Sequence, residues 1–253
     1  MNGSEPSILL TGGSGRLGTE LRALLTNVFA PAHAEMDICE PASIESALRA
    51  HRPAVCIHAA AYTNVAGAET EHSLCWRTNV DGTRNIVQAA MNHGVFLVHI
   101  STDYVFEGTR GNYAEDDVLG PPLNYYGLSK LVAEAVVRLA PRHLVIRTSF
   151  RPRQWSYPVG FTDVFTSQDY IDVIAPDIAL AVRHCLAIPH DTVHIATERK
   201  SVYDLARRRK PDVRPGSKKD APVRLPDDAS LDTSRWQTLK ARWAAQPAER
   251  NDA

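Results

Sequence analysis

The sequence predicts an α/β fold, a doubly wound parallel sheet with a small C-terminal lobe. Short apolar runs alternate with segments of helical periodicity through residues 1–150, a glycine-rich stretch follows the first apolar run, and the regular alternation stops after Phe150. Strands separated by helices pair in parallel through right-handed crossovers, so this order of elements prescribes the layers.

Ile8 to Thr11 reads as the first strand, and Gly15 to Leu25 as a helix with Leu17, Leu21, Leu24 and Leu25 on one face. Val28-Phe29-Ala30 is a short second strand. Ala42 to Ala50 is a helix opened by Pro41, with Ile44, Ala47 and Leu48 inward. Ala54 to His58 is a buried strand, Leu74 to His93 is mainly helical and ends at Gly94, and Val95 to Ile100 is the next strand. Asn124 to Leu139 is helical, with Leu128, Leu131, Val132, Ala135, Val136 and Leu139 at helical spacing. Leu144 to Arg147 is a further strand. Beyond Phe150, Arg151 to Gln168 lacks periodicity, Ile178 to Leu186 is helical, Thr192 to Ala196 is a strand and Ser201 to Arg209 is a short helix. Pro211 to Pro226 reads as loop and Gln246 to Ala253 as a frayed end. The expected division is a nucleotide-binding domain over 1–150, with 170–197 returning to it, and a small lobe from 151–169 and 198–253.

The bulk properties narrow the function classes. At 253 residues, 44% hydrophobic and 23% charged, the chain has material for an ordinary core. Its net charge of −1 gives no global field for nucleic acid or a membrane surface. No run reaches the roughly 18 apolar residues of a membrane span, and the start lacks a signal-peptide pattern. Cys39, Cys56, Cys75 and Cys185 are scattered, so no metal or disulfide framework is expected. The expectation is a cytoplasmic protein with reduced thiols.

Three motifs carry chemistry. In TGGSGRLG, Gly12, Gly15 and Gly18 recur at a spacing of three between the first strand and the first helix. Glycines there make a tight turn, let backbone approach a pyrophosphate and allow close helix packing, and the helix N-terminus offers unpaired N–H groups to phosphates. An acid about 20 residues on would hold the ribose of NAD. That region reads Pro31-Ala32-His33, while Arg16 lies in the loop, so the reading leans to NADPH and leaves NADH open. In NYYGLSK, Tyr126 and Lys130 are four apart and share a helix face. A nearby cation favours phenolate and lowers a tyrosine's pKa, so Tyr126 is the candidate acid–base group and Lys130 its tuner. In VHISTDYVFEG, Ser101-Thr102-Asp103 ends a strand, where polar groups face the ligand crevice.

Together with MDICEPASI (36–44), HAAAYTNVAGAE (58–69), TNVDGTRNI (78–86), PLNYYGLSK (122–130) and IRTS (146–149), these stretches resemble the extended short-chain dehydrogenase/reductases, and within them the dTDP-4-dehydrorhamnose reductase family. The resemblance covers about the first 150 residues and implies a Rossmann domain. It implies that Gly12, Gly15, Arg16, Leu17 and Gly18 cradle the cofactor. Asp37 and Ile38 would border the adenine, and Ala59, Ala60, Ala61 and Tyr62 would line the cofactor with Tyr126 and Lys130. It further implies that Asn79 is a support, that Thr102, Tyr126 and Lys130 are the catalytic trio, and that the sugar pocket begins after Ser149. Arg151-Pro152-Arg153 departs from the family's usual continuation, and the lobe is trimmed and rewritten.

Asp103, Phe150, Arg151 and Arg153 are the expected substrate contacts, the arginines because guanidinium forks match phosphate oxygens. Trp155, Tyr157 and Phe161 are candidates for the sugar pocket wall or for lobe packing. Arg207 to Lys210 reads as a solvated helix end, and His58 and His99 as core residues. The implied activity is NAD(P)H-dependent reduction of a nucleotide-linked 4-keto-6-deoxy sugar. An epimerase or dehydratase on the same scaffold, with Asp103 as the extra acid, and a non-catalytic regulatory subunit are the alternatives. A nucleotide sugar is the expected partner, with no nucleic acid and no membrane, and a homodimer is left open.

Overall fold

The computed structural model describes residues 6–221 and 223–245. In chain order its elements are β1 (Ile8–Thr11), α1 (Arg16–Leu24), β2 (Val28–Phe29), α2 (Pro41–His51), β3 (Val55–His58), α3 (Val65–Ala68) and α4 (His72–Trp76). A π-helical turn over Arg77–Asp81 leads into α5 (Gly82–His93), β4 (Phe96–Thr102), α6 (Tyr125–Val137) and β5 (His143–Thr148). The rest comprises β6 (Phe150–Arg151), β7 (Val159–Phe161), β8 (Phe165–Thr166), β9 (Asp169–Tyr170), α7 (Ile171–Arg183), β10 (Thr192–His194), β11 (Lys200–Ser201), α8 (Val202–Arg207), β12 (Arg214–Gly216) and α9 (Ser234–Ala245).

Six strands form one parallel sheet in the order β10-β5-β4-β3-β1-β2. The chain leaves β1 toward one edge for β2 and returns to the other side for β3. The crevice between the C-terminal ends of β1 and β3 is therefore the topological switch point, where open α/β sheets bind ligands. On one face, Leu17 and Leu21 of α1, Ile174 and Ile178 of α7, and Trp236 and Leu239 of α9 pack on the sheet. On the other, Ile44 and Leu48 of α2 and Ile86 and Ala90 of α5 pack on Leu9, Cys56, Leu97 and Val145. Both faces of the sheet are covered, as the expected doubly wound fold requires.

The local signals act where the sequence places them. Pro41 occupies the start of α2, where its missing N–H costs nothing. Gly94 closes α5 at φ +65°. The Asn124 side chain accepts from the Gly127 N–H and starts α6. Three expectations needed correction. Helix α7 begins at Ile171, seven residues before the expected start, although Pro176 lies inside it. Burial of Ile171, Ile174 and Ala175 outweighs the one missing backbone bond. The segment 211–226 contains a strand, since Arg214–Gly216 pairs with Val159–Phe161. Helix α9, expected in the small lobe, packs on the main core through the fully buried Trp236. Gln246 to Ala253 lie outside the described residues.

Candidate functional site

The glycine stretch forms a tight loop from β1 into α1. Gly12 has φ +72°, and a Cβ there would stand 2.7 Å from the Ala60 nitrogen on the neighbouring strand end. A Cβ on Gly18 would stand 2.2 Å from the Gly12 carbonyl oxygen. These two glycines let loop, helix and sheet approach one another. Gly15 is the residue before α1 and has no side-chain cap, so the first-turn N–H groups lack a local side-chain acceptor. Arg16 is exposed at that N-terminus, whereas the Leu17 side chain lies in the core and offers only backbone.

A buried chain of hydrogen bonds fixes the opposite wall. The Ala60 N–H donates to Thr11 Oγ1 (3.1 Å), and the Thr11 hydroxyl lies 2.8 Å from His58 Nδ1. His58 Nε2 lies 3.0 Å from Thr83 Oγ1, whose hydroxyl donates to the Asn79 carbonyl (2.6 Å). Thr83 spends its proton on that carbonyl, so Nε2 carries the imidazole proton and Nδ1 accepts. Burial holds His58 down to about 3, so it stays neutral. The Asn79 side chain accepts from the Tyr62 N–H (2.7 Å) and donates to the Tyr62 carbonyl (3.1 Å). Asn79 sits in the π-helical turn, a feature that often marks functional sites. The row Ala59 to Tyr62 is thereby held at both ends and remains partly exposed. His58 is a core residue, as expected, and it also anchors this row.

At the rim beyond β2, Asp37 accepts from the Cys39 N–H (2.8 Å) and is partly exposed. Ile38 is buried, and its side chain occupies the space beside Gly82.

Thr102, Asp103 and Tyr126 come together at the end of β4. The Thr102 hydroxyl donates to Asp103 Oδ1 (3.0 Å), and the Tyr126 phenol lies near it. The sequence predicts a phenol lowered by Lys130, and the structure differs. Burial, and then the Asp103 carboxylate, push Tyr126 above its ordinary value, with the Thr102 contact opposing. Lys130 directs its ammonium elsewhere, to the Ile100 carbonyl (2.8 Å) and His99 Nε2 (3.4 Å). Its burial brings it down to about 8 against the pull of Glu134. Asp103 is raised to about 6 by burial, opposed by hydrogen bonds from Thr102 and Ser149 and by the charge of Arg151.

Asp103 and Tyr104 also form one end of a cavity of about 330 Å³ that reaches into the small lobe. Arg151 stands over the rings of Trp155 (5.4 Å) and Tyr157 (6.0 Å), and all three line the cavity with Phe161. Two expected substrate contacts do not join them. The Phe150 ring packs against the main core. Arg153 is bound in two bonds to Glu20 of α1, at 2.9 and 2.8 Å. Arg207, Arg208 and Arg209 are exposed at the end of α8, as expected, and two of them are also ion-paired. Arg208 bonds Asp169 (2.8 Å) and Glu198, and Arg209 bonds Asp172 (2.9 Å) with its guanidinium over Tyr170. Asp169 and Asp172 lie 39 and 37 residues away in sequence, so spacing alone could not reveal those pairs.

The chain was compared with known proteins. The family model described as RmlD substrate binding domain matches residues 6–174. The dTDP-4-dehydrorhamnose reductase of Aggregatibacter actinomycetemcomitans is 39% identical over 150 residues, which are 56% of this chain and 51% of that protein. The dTDP-4-dehydrorhamnose reductase of Streptomyces griseus is 40% identical over 162 residues, 61% of this chain and 51% of that protein. The chain thus matches about half the length of these curated relatives. Structural likeness extends further. The crystal structure of dTDP-4-dehydrorhamnose reductase from Bacillus anthracis in complex with NADP covers 94% of this chain and 93% of its own, at 25% identity and a TM-score of 0.83. A hypothetical dTDP-4-dehydrorhamnose reductase from Sulfolobus tokodaii covers 92% and 94%, at 32% identity and a TM-score of 0.80. With two thirds of its length matched by one family model and the same fold through both lobes, this chain belongs to the RmlD substrate binding domain family.

Proposed function

We propose that the protein is an NADPH-dependent reductase of a nucleotide-linked 4-keto-6-deoxy sugar. The observation that carries this reading is the placing of Thr102, Asp103 and Tyr126 together at the end of β4, in a chain that also forms a glycine cradle at the switch point. The cradle fits a dinucleotide, because Gly12 and Gly18 leave no room for a Cβ and the first turn of α1 presents its N–H groups to phosphate. Gly12, Gly15, Arg16, Gly18 and the backbone of Leu17 would hold the pyrophosphate end. Asp37 and Ile38 would border the adenine, and Ala59 to Tyr62 the opposite wall. Arg16 and the lack of an acid in Ala30-Pro31-Ala32-His33, at the end of β2, favour the 2′-phosphate of NADPH. The cofactor, when bound, supplies the hydride.

Tyr126 donates a proton to the keto oxygen, and the Thr102 hydroxyl donates to that oxygen once it releases Asp103 Oδ1. A buried phenol kept protonated is matched to the acid's role in the reductive direction. Lys130, whose ammonium bonds the Ile100 carbonyl, would supply positive charge to the site and its remaining donor would hold the ribose. Arg151 reaches the substrate's phosphates from the cavity end, and Trp155 and Tyr157 wall the remainder. The similarity to proteins named dTDP-4-dehydrorhamnose reductase and dTDP-4-keto-6-deoxy-D-glucose reductase supports this substrate class.

The test is NADPH oxidation followed at 340 nm with a dTDP-4-keto-6-deoxyhexose as acceptor. Sugar-dependent oxidation is expected, and its absence in protein that binds NADPH would overturn the reading. Asp103 favours a second reading, because a buried acid poised at about 6 beside Thr102 suits a proton transfer in epimerisation. A product of unchanged redox state, formed on bound NAD, would identify that chemistry.

A further inference from the structure

Lys130 is 3% exposed, and both of its named partners come from one strand, the Ile100 carbonyl at 2.8 Å and His99 Nε2 at 3.4 Å. His99 is 1% exposed, and among the described residues its buried Nδ1 has no partner. An ammonium has donors only, so Nε2 must present its lone pair, and the single proton of the neutral ring sits on the unpartnered Nδ1. The strand neighbours Leu97 and Val98 are fully buried and apolar, and an apolar residue at 99 would leave no orphaned donor. An unpaired buried N–H persists where another bond offsets it. Here that bond is the one from Lys130.

We infer that His99 is a positioning residue for Lys130, its Nε2 accepting the ammonium and fixing Nζ on the floor of the site. It acts through the lysine and touches no reacting atom. The surrounding charges are consistent with this. Glu134 on the same helix and Cys75 on α4 favour the ammonium, and burial disfavours it. Glu134 is itself engaged by Arg147 and Ser101. The imidazoles of His58 on β3 and His99 on β4 are both kept neutral, so neither repels the lysine. Loss of the acceptor removes a bond made to the charged form and lowers the lysine's pKa.

The consequence for turnover rests on the reductase reading, whereas the test of placement does not. Protein labelled with 13C-lysine is titrated by NMR without cofactor, with Lys130→Arg identifying the Lys130 signal. A glutamine at 99 puts its amide where Nε2 stands, and an asparagine puts it where Nδ1 stands. The expected result is a Lys130 midpoint near the parent's in His99→Gln and lower by about one unit in His99→Asn. His99→Leu should match the asparagine variant, and it decides the matter if the asparagine protein fails to fold. Equal midpoints in glutamine and acceptor-lacking variants overturn the inference. If the midpoints separate while the parent reduces no keto sugar, His99 keeps its role and the functional reading falls. If the parent turns over and the midpoints coincide, the reverse holds.

Discussion

In the sheet half, β4 and β5 pair over six residues, and α1, α2, α5 and α6 run for nine to thirteen residues. In the lobe, β6, β7, β8, β11 and β12 have two or three residues each. Their partners come from afar, Val159 to Phe161 with Arg214 to Gly216, and Phe165 with Ser201. A small apolar cluster of Trp155, Val164, Val202, Ala206 and Val213 supports them, with ion pairs such as Arg208–Asp169 at the margin. The sheet half repeats one period over many residues, while the lobe depends on single contacts. The family model matches residues 6–174, whereas structural likeness spans 94% of the chain and so includes both regions.

The largest expected effect lies at the junction. Tyr126→Phe should lower turnover by about 10²–10⁴-fold while cofactor affinity and melting temperature stay near the parent's. Parental turnover in that variant would remove Tyr126 from the mechanism.

The separability of the two regions is tested by one substitution in each. Trp155→Ala should destabilise the lobe by about 3–5 kcal/mol and raise the substrate KM, with NADPH binding retained. Gly12→Val forces a side chain against Ala60 at φ +72°, and should abolish NADPH binding at a cost of about 1–3 kcal/mol. Nucleotide fluorescence titration of both variants decides. Loss of NADPH binding in Trp155→Ala would show that the regions are coupled.

Asp103 joins the two halves and gives a pH signature. Its pKa rises from 3.8 to about 6 on folding, so the folded state binds its proton more tightly. Ionised Asp103 therefore opposes folding above about pH 6, and this opposition vanishes below about pH 4. Asp103→Asn should stabilise the protein at pH 7.5 by up to about 3 kcal/mol. Thermal melts between pH 4 and 8 should show the gain shrinking as pH falls, and a gain independent of pH would refute the assignment.

The smallest effect sharpens the contrast between two neighbouring arginines. Arg153→Ala breaks an ion pair in which the arginine is 60% exposed, and should change stability by less than about 1 kcal/mol with substrate KM unaltered. Arg151→Ala should raise substrate KM, because Arg151 lines the cavity. Equal KM effects would mean that both reach the substrate.

Most of the sheet was legible because its signals are local. Ile8 to Thr11, Leu17 and Leu21, Pro41, Gly94 and Asn124 each act within one turn or one strand of where they stand. The glycine spacing was legible for the same reason, and so was the place of Tyr126 and Lys130 on one helix, though not their separate partners. The partners of Lys130 were not, since the approach of His99 depends on the register of α6 over β4. The buried Nδ1 of His99, the anchoring role of His58, the pairing of Arg153 with Glu20 and the return of Trp236 to the main core all join residues remote in sequence. By itself the sequence determined the period of the elements, their order and the chemical groups carried to the sheet's C-terminal edge. Only the tertiary structure decided which groups meet there, because hydrogen bonds and ion pairs depend on distances of a few ångströms that periodicity does not encode.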